Sequence, residues 1–153
     1  MWNALFTATN LLAIAGWLLL AAAPRKPAVR SLIMYLGVAL LCLTYTVLFA
    51  LFLSGSVDPV RVAGAGEPGF GSIPGVRALF ASDGGVVIGW THYLAFDLFT
   101  GMWIASDADN KGFGRLIQVP VLLTTFMAGP VGLLAWLILR EGRARSQNRT
   151  APK

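Results

Sequence analysis

The stretch SLIMYLGVALLCLTYTVLFALFLS, residues 31–54, contains no charged side chain. About 20 consecutive apolar residues are enough for a helix to cross the hydrocarbon core of a bilayer. We therefore expect this run to be a membrane-spanning helix. Three further runs of similar length, of which the second is the most polar, occupy residues 3–23, 86–106 and 116–139.

Composition places the whole chain in the membrane class. Of its 153 residues, 56% are hydrophobic and 12% are charged, and the mean hydropathy is +0.69. Soluble domains carry about 25% charged residues, so this composition excludes an ordinary soluble domain. The prediction is one all-α domain over residues 1–153, an integral membrane four-helix bundle with a basic tail at 140–153.

The net charge of +5 comes from basic residues that cluster beside the apolar runs. Such clusters typically anchor helix ends at lipid headgroups, so membrane lipid rather than nucleic acid is the expected partner. If all four runs cross the bilayer, five basic residues lie on one side and seven on the other. The positive-inside rule does not decide the orientation from that split. Residues 1–10 carry no basic side chain, which favours an uncleaved first helix over a signal peptide.

The long connection at 55–85 is rich in glycine. Within it, apolar residues recur at helical spacing: Ile73, Val76, Leu79 and Phe80. This spacing predicts a short interfacial helix over the mouth of the bundle, and a flexible connector remains the alternative. The single cysteine, Cys42, excludes a disulfide framework, and its place in an apolar run predicts a buried thiol.

The run at 86–106 carries most of the polar chemistry. On an ideal helix, three aromatic residues lie within about 40° of His92: Phe96, Phe99 and Trp103. A polar strip follows beside this aromatic stripe: Tyr93, Asp97 and Thr100. The opposite side is apolar: Ala95, Leu98 and Met102. We expect the polar strip to face the bundle interior and the apolar side to face lipid.

Asp97 lies near the centre of this run, where an ionised carboxylate costs about 2.5 to 3.5 kcal/mol. It must be paired, hydrogen-bonded or protonated, either for function or for helix packing. Its candidate partners are Tyr93, Asn10, Tyr45, Thr124 and Thr125. His92 also has two interpretations: it is a functional group, or it donates a hydrogen bond to a backbone carbonyl. A metal site is not expected, because the chain has one histidine, one cysteine and few carboxylates. An ion shared by His92, Asp97 and Asp107 is only weakly indicated.

Small residues predict close helix packing at two places, the pairs Gly85/Gly89 and Ala128/Gly132. The first pair allows either a homodimer or a contact within one chain. Pro130 removes the hydrogen bond to the Phe126 carbonyl, so the helix at 116–139 is expected to kink there and to open a pocket.

These residues carry a family resemblance. HYLAFDLF at 92–99 runs into Gly101-x-Trp103-Ile104, and PVLLTTFMAGPVGLL occupies 120–134. With the four apolar runs, this pattern resembles the abscisic-acid-deficient-four family of small integral membrane proteins, whose plant members are associated with neoxanthin synthesis. The resemblance implies a bacterial relative in the inner (cytoplasmic) membrane, of unknown orientation, with a carotenoid or related isoprenoid as ligand.

The implied reaction is the isomerisation of an epoxide to an allene, which needs an acid and a base but no cofactor. The catalytic candidates are Asp97, His92 and Tyr93. The substrate-binding candidates are Phe96, Phe99, Thr100, Trp103, Asn10, Tyr45 and Phe126. Two other hypotheses stay open: a non-catalytic scaffold that presents pigment or lipid to a partner enzyme, and an ion pathway through His92 and Asp97.

Overall fold

The computed structural model describes residues 1–22, 26–58 and 66–150, with side chains described as far as residue 143. The regular elements of these residues are all helical. They are α1 (Trp2–Ala22), α2 (Pro27–Leu53), α3 (Ile73–Leu79), α4 (Asp83–Asn110), α5 (Arg115–Met127) and α6 (Gly129–Thr150). Within α2, the turns over Ile33–Ala39 are π-helical. The predicted all-α class is confirmed.

Helices α1 and α2 are each long and apolar enough to cross a membrane. Only 28% and 22% of their most apolar windows are buried inside the protein. Large outward side chains on them include Leu11, Leu18, Leu36, Leu43 and Leu53. Because so extensive an apolar surface is rare on soluble monomers, these two helices indicate a membrane protein.

Helix α4 is the centre of the bundle and contacts α1, α2, α5 and α6. Helix α1 runs parallel to it, since Trp2 lies beside Gly84 and Trp17 beside Gly101. Helix α2 runs antiparallel, because Arg30 at its start pairs with Asp109 near the end of α4.

The orientation predicted for α4 is right for Asp97 of the polar strip, which is buried, and wrong for the apolar side. Ala95, Leu98 and Met102 are buried, whereas Phe96 is 57% exposed and the rest of the aromatic stripe also faces outward. The cause lies in the neighbouring helices: Leu98 fits between Gly16 of α1 and Gly37 of α2, at distances that leave no room for a Cβ at Gly16. Aliphatic residues therefore fill the close contacts, and the larger rings remain on the surface.

Helices α5 and α6 form an antiparallel hairpin, so the predicted single span at 116–139 is wrong. The chain reverses at Ala128 (φ −155°, ψ 81°), and Gly132 then packs directly on Thr125. Further along, the Trp136 ring lies 4.9 Å from the Phe113 ring, beside the start of α5. The kink predicted from Pro130 is thus a complete reversal, and the hairpin tip reaches only the middle of α4.

Because of this hairpin, basic side chains gather at one end of the bundle, where α1 ends and α2 begins. We call it the basic end; its members are Lys26, Arg30, Lys111, Arg115, Arg140 and Arg143. Of the described basic residues, Arg77 lies at the opposite end. The predicted five-to-seven split assumed a fourth crossing; Arg25, Arg61 and Lys153, which it included, lie outside the described residues.

The short helix predicted within the long connection is confirmed as α3, and its place at a membrane interface stays a prediction. The Ser72 hydroxyl caps it by accepting a hydrogen bond from the Gly75 N–H at 3.2 Å. The helix buries Ala78 and Leu79 and leaves Ile73 exposed. Residues 59–65 of the same connection lie outside the described residues. The predicted burial of Cys42 is wrong, since this thiol is exposed on the outer side of α2.

Candidate functional site

The two carboxylates near the end of α4 belong to a network of ion pairs at the basic end. Asp107 accepts from Lys111 Nζ at 2.8 Å, Arg140 Nε at 3.1 Å and Trp136 Nε1 at 3.0 Å. Asp109 accepts from Arg30 and from Gln118 Nε2. These bonds join α4 to α2, α5 and α6, so both carboxylates have a structural role. Among the residues that the structure describes, no group of three or more His, Cys, Asp or Glu side chains gathers to hold an ion.

Asp97 lies at the tip of the α5–α6 hairpin and is only 8% exposed. Its carboxyl group packs directly against Gly129, the first residue of α6, and its buried Oδ2 atom has no hydrogen-bond partner among the residues that the structure describes. A Cβ at position 129 would overlap the carboxyl group, which explains the glycine. The Tyr93 hydroxyl donates its proton to the Met127 carbonyl at 3.3 Å. Since a helix N-terminus favours negative charge, Asp97 and Tyr93 hold the hairpin tip against α4.

The other predicted partners of Asp97 are engaged elsewhere. Thr124 and Thr125 donate to carbonyls of their own helix, at 2.9 and 2.8 Å. Asn10 accepts a hydrogen bond from Trp90 Nε1 at 3.1 Å, and the Trp90 ring lies 5.2 Å from that of Tyr93. Asn10 therefore belongs to the surface that leads toward the hairpin tip.

His92 lies on a different side of α4 and lines an aromatic cavity of about 230 Å³, which we call the His92 cavity. Its walls are Tyr45, Phe49 and Phe52 of α2, Phe70, Leu79 and Phe80 around α3, and Gly85, Ile88, Gly89 and His92 of α4. The imidazole ring lies 5.3 Å from the Tyr45 ring and 4.7 Å from the Phe96 ring. His92 is exposed, so the cavity opens toward the surroundings of the bundle.

The glycine pair Gly85/Gly89 shapes this cavity. A Cβ at Gly85 would overlap the Leu79 carbonyl, and a Cβ at Gly89 would overlap the Phe80 ring. The close packing predicted from this pair is thus a contact within the chain, between α4 and the α3 segment. This contact places the Phe80 ring against the first turns of α4, where it forms one wall of the His92 cavity.

The structure divides the predicted site residues among separate surfaces. His92, Tyr45 and Phe96 come together at the cavity, whereas Asp97, Tyr93 and Asn10 lie at or near the hairpin tip. The remaining candidates are spread along the bundle. Phe126 packs edge-on against Trp17 at 5.6 Å, Thr100 donates to the Phe96 carbonyl at 2.8 Å, and Phe99 and Trp103 face outward.

Sequence reasoning missed the phenylalanine walls of the cavity. Phe49 and Phe52 follow Tyr45 at spacings of four and seven residues, which place all three on one helix face. This spacing in the sequence could have identified Phe49 and Phe52 as neighbours of Tyr45. Phe80 gave no such signal, because its position depends on how α3 folds back onto α4.

No curated protein and no solved structure matches this chain. A family model described as ABA DEFICIENT 4-like matches residues 4–136, which run from the first turn of α1 to the middle of α6. The match therefore includes the His92 cavity, the Asp97 contact and the turn of the hairpin. Since it extends over most of the sequence, the chain belongs to the ABA DEFICIENT 4-like family.

Proposed function

We propose that the protein is an integral membrane protein that binds a carotenoid or related isoprenoid, with one end ring of the ligand in the His92 cavity. The observation that supports this most directly is the place of the single histidine of the chain. It lines a cavity with phenylalanine walls on the outward side of an apolar bundle. The family match gives this ligand class independent support.

The cavity suits an apolar ring that arrives from the bilayer. Aromatic walls contact flat π systems and methylated rings over a large area. Because His92 and Phe80 are both exposed, a ligand can reach the cavity sideways through lipid without crossing the bundle. Pockets for small ligands typically combine such apolar walls with a few polar groups, which here are His92 and Tyr45.

Those two polar groups fit an acid–base isomerisation of an epoxide. The C–O bond nearer the polyene breaks, and the epoxide oxygen takes a proton from the Tyr45 hydroxyl and becomes an alcohol. The adjacent chain carbon loses a proton to the His92 imidazole, and the new double bond completes an allene. His92 then returns its proton to Tyr45, so the reaction is redox-neutral and both groups are restored.

In this proposal the acid is Tyr45 instead of Asp97. The Asp97 carboxyl group does not line the His92 cavity and is occupied by the hairpin tip. Asp97 and Tyr93 then act as positioning residues that hold α6 against α4. A non-catalytic function has its own support, because Phe96 and Phe99 form an outward surface that could present a bound pigment to a partner enzyme.

The test is expression in a carotenoid-producing host, with pigments analysed by liquid chromatography and mass spectrometry. Wild type is expected to yield a new isomer of unchanged mass. His92→Gln and Tyr45→Phe are expected to lower its amount at least ~100-fold while the protein still carries pigment, because general acid–base groups contribute about 10²–10⁴-fold. Cys42→Ser, an exposed change on the same helix as Tyr45, is the matched control and should behave as wild type.

Each other outcome contradicts one part of the proposal. Product at the wild-type level from His92→Gln would remove the assigned base. Loss of product in a folded, pigment-bearing Asp97→Asn variant would return the acid role to Asp97. Bound pigment without a new isomer in wild type would favour the presenting scaffold, and wild type without pigment would refute the ligand class.

A further inference from the structure

A second cavity, of about 410 Å³, lies between α2 and α4 at the basic end. We call it the Tyr35 cavity; its walls are Arg30, Ser31, Met34 and Tyr35 of α2, and Phe99, Met102, Trp103 and Ser106 of α4. Its chemistry differs from that of the His92 cavity. It combines two aromatic rings and a phenol with two serine hydroxyls and a guanidinium group, so it can hydrogen-bond a polar ligand group.

The two cavities lie on the same side of α4. On an ideal helix, Phe99, Trp103 and Ser106 fall within about 40° of His92. Between the cavities this side of α4 is formed by Phe96 and Phe99, whose rings are exposed. An exposed aromatic surface of α4, formed by these rings, therefore lies between the two cavities.

The separation of the two cavities along α4 matches the thickness of a bilayer core. Gly85, in the wall of the first cavity, and Ser106, in the wall of the second, are separated by about 32 Å along α4. His92 and Ser106 are separated by about 21 Å. The hydrocarbon core of a typical bilayer is about 30 Å thick. A rod-shaped ligand that fills both cavities must therefore span the membrane, with its ends at the two interfaces.

The backbone of α2 is irregular at the second cavity. Met34 and Tyr35 belong to the π-helical segment Ile33–Ala39. Such segments are rare in α-helices and occur frequently at functional sites. Tyr35 is 70% exposed, so its ring is accessible to a ligand in the second cavity. Arg30 is held in place by its ion pair with Asp109 and lies 3.4 Å from the Ser106 hydroxyl.

From this arrangement we propose that the Tyr35 cavity is a second subsite, which binds the hydroxylated far end of the isoprenoid whose other end occupies the His92 cavity. This inference rests on the proposed function and adds to it a selectivity for length and for a polar far end. The ligand class is a bilayer-length isoprenoid with a hydrogen-bonding group at the end that reaches Tyr35.

The test compares the affinities of purified protein for three probes, followed by the quenching of tryptophan fluorescence. The probes are a full-length hydrocarbon carotene, its dihydroxylated derivative, and retinol as a half-length isoprenoid alcohol. Wild type is expected to bind the dihydroxylated carotenoid about tenfold more tightly than the hydrocarbon, the equivalent of one or two hydrogen bonds. Retinol is too short to bridge the cavities and should bind more weakly than either.

Tyr35→Phe removes one oxygen from a largely exposed side chain, so the fold is expected to survive. It should abolish most of the preference for the hydroxylated carotenoid and leave the affinity for the hydrocarbon unchanged. Ser106→Ala should act in the same direction. Thr46→Val, whose hydroxyl bonds the Cys42 carbonyl of its own helix, is the matched control on α2.

The outcomes separate this proposal from the proposed function. Equal wild-type affinities for the hydrocarbon and its dihydroxylated form would refute the second subsite and leave the His92 cavity standing. If Tyr35→Phe lowered the affinities for the hydrocarbon and the dihydroxylated carotenoid to the same extent, the subsite would also be refuted. If wild type bound no carotenoid at all, the proposed function itself would be wrong.

Discussion

Cysteines introduced as Asn110→Cys and Gly142→Cys are expected to react with a membrane-impermeant maleimide from the same side of the membrane. The physical reason is the α5–α6 hairpin, which returns the chain to the basic end instead of crossing the bilayer. Both positions are exposed, and nothing lies within 4 Å of a Cβ at Gly142. The experiment uses a Cys42→Ser background, so that each variant carries one thiol.

The same experiment fixes the orientation. Six described basic side chains lie at the basic end, and positively charged loops remain preferentially in the cytoplasm. In intact bacterial cells, both cysteines should therefore be labelled only after the membrane is made permeable. Ser56→Cys, beyond the other end of α2, should be labelled without that step. Labelling of Asn110→Cys and Gly142→Cys from opposite sides would mean a fourth crossing and would contradict the hairpin.

Gly132→Ala is expected to destabilise the protein by about 3 kcal/mol, at the upper end of the usual cost of overpacking. An added methyl group would overlap the backbone nitrogen and Cα of Thr125 as well as its hydroxyl. Because these are backbone atoms near the turn of the hairpin, no side-chain rotation relieves the overlap. The measurement is unfolding of the purified protein in detergent, followed by tryptophan fluorescence, to which the buried Trp136 contributes.

Gly142→Ala is the control for this measurement. It makes the same chemical change on the same helix, at a position with no neighbour within 4 Å of the added group. Its stability should equal that of wild type or slightly exceed it, since alanine favours helix more than glycine does. Equal stabilities of the two variants would show that α5 and α6 do not pack at Thr125.

The apolar runs predicted α1 and α2 because run length and lack of charge are local properties of the sequence. The same criterion failed at 116–139, where a hairpin of two shorter helices has the length and composition of one crossing. What makes the chain reverse is the contact of Gly132 with Thr125, together with the hold of Asp97 on Gly129. Neither contact is visible in hydropathy alone.

The candidate site was predicted in part. On an ideal helix His92 and Asp97 are about 140° apart, and in the structure they lie on different sides of α4. Which side faces outward could not be read from α4 itself. It depends on Gly16 and Gly37, which belong to other helices and which accept Leu98. The His92 cavity likewise depends on α3, whose return onto α4 brings in Phe80.

Because the tip of the α5–α6 hairpin reaches only the middle of α4, the two ends of the bundle contain different numbers of helices. In a bilayer crossed by α1, α2 and α4, we expect the described helices α1, α2, α4, α5 and α6 to displace lipid in the leaflet at the basic end, and α1, α2 and α4 to do so in the other leaflet. We therefore expect the protein to be wedge-shaped in the bilayer, with the larger cross-section at the cytoplasmic surface in the orientation predicted above. A protein of this shape lowers the bending energy of a membrane whose cytoplasmic surface is convex. We therefore expect it at higher density in such curved regions than in flat ones.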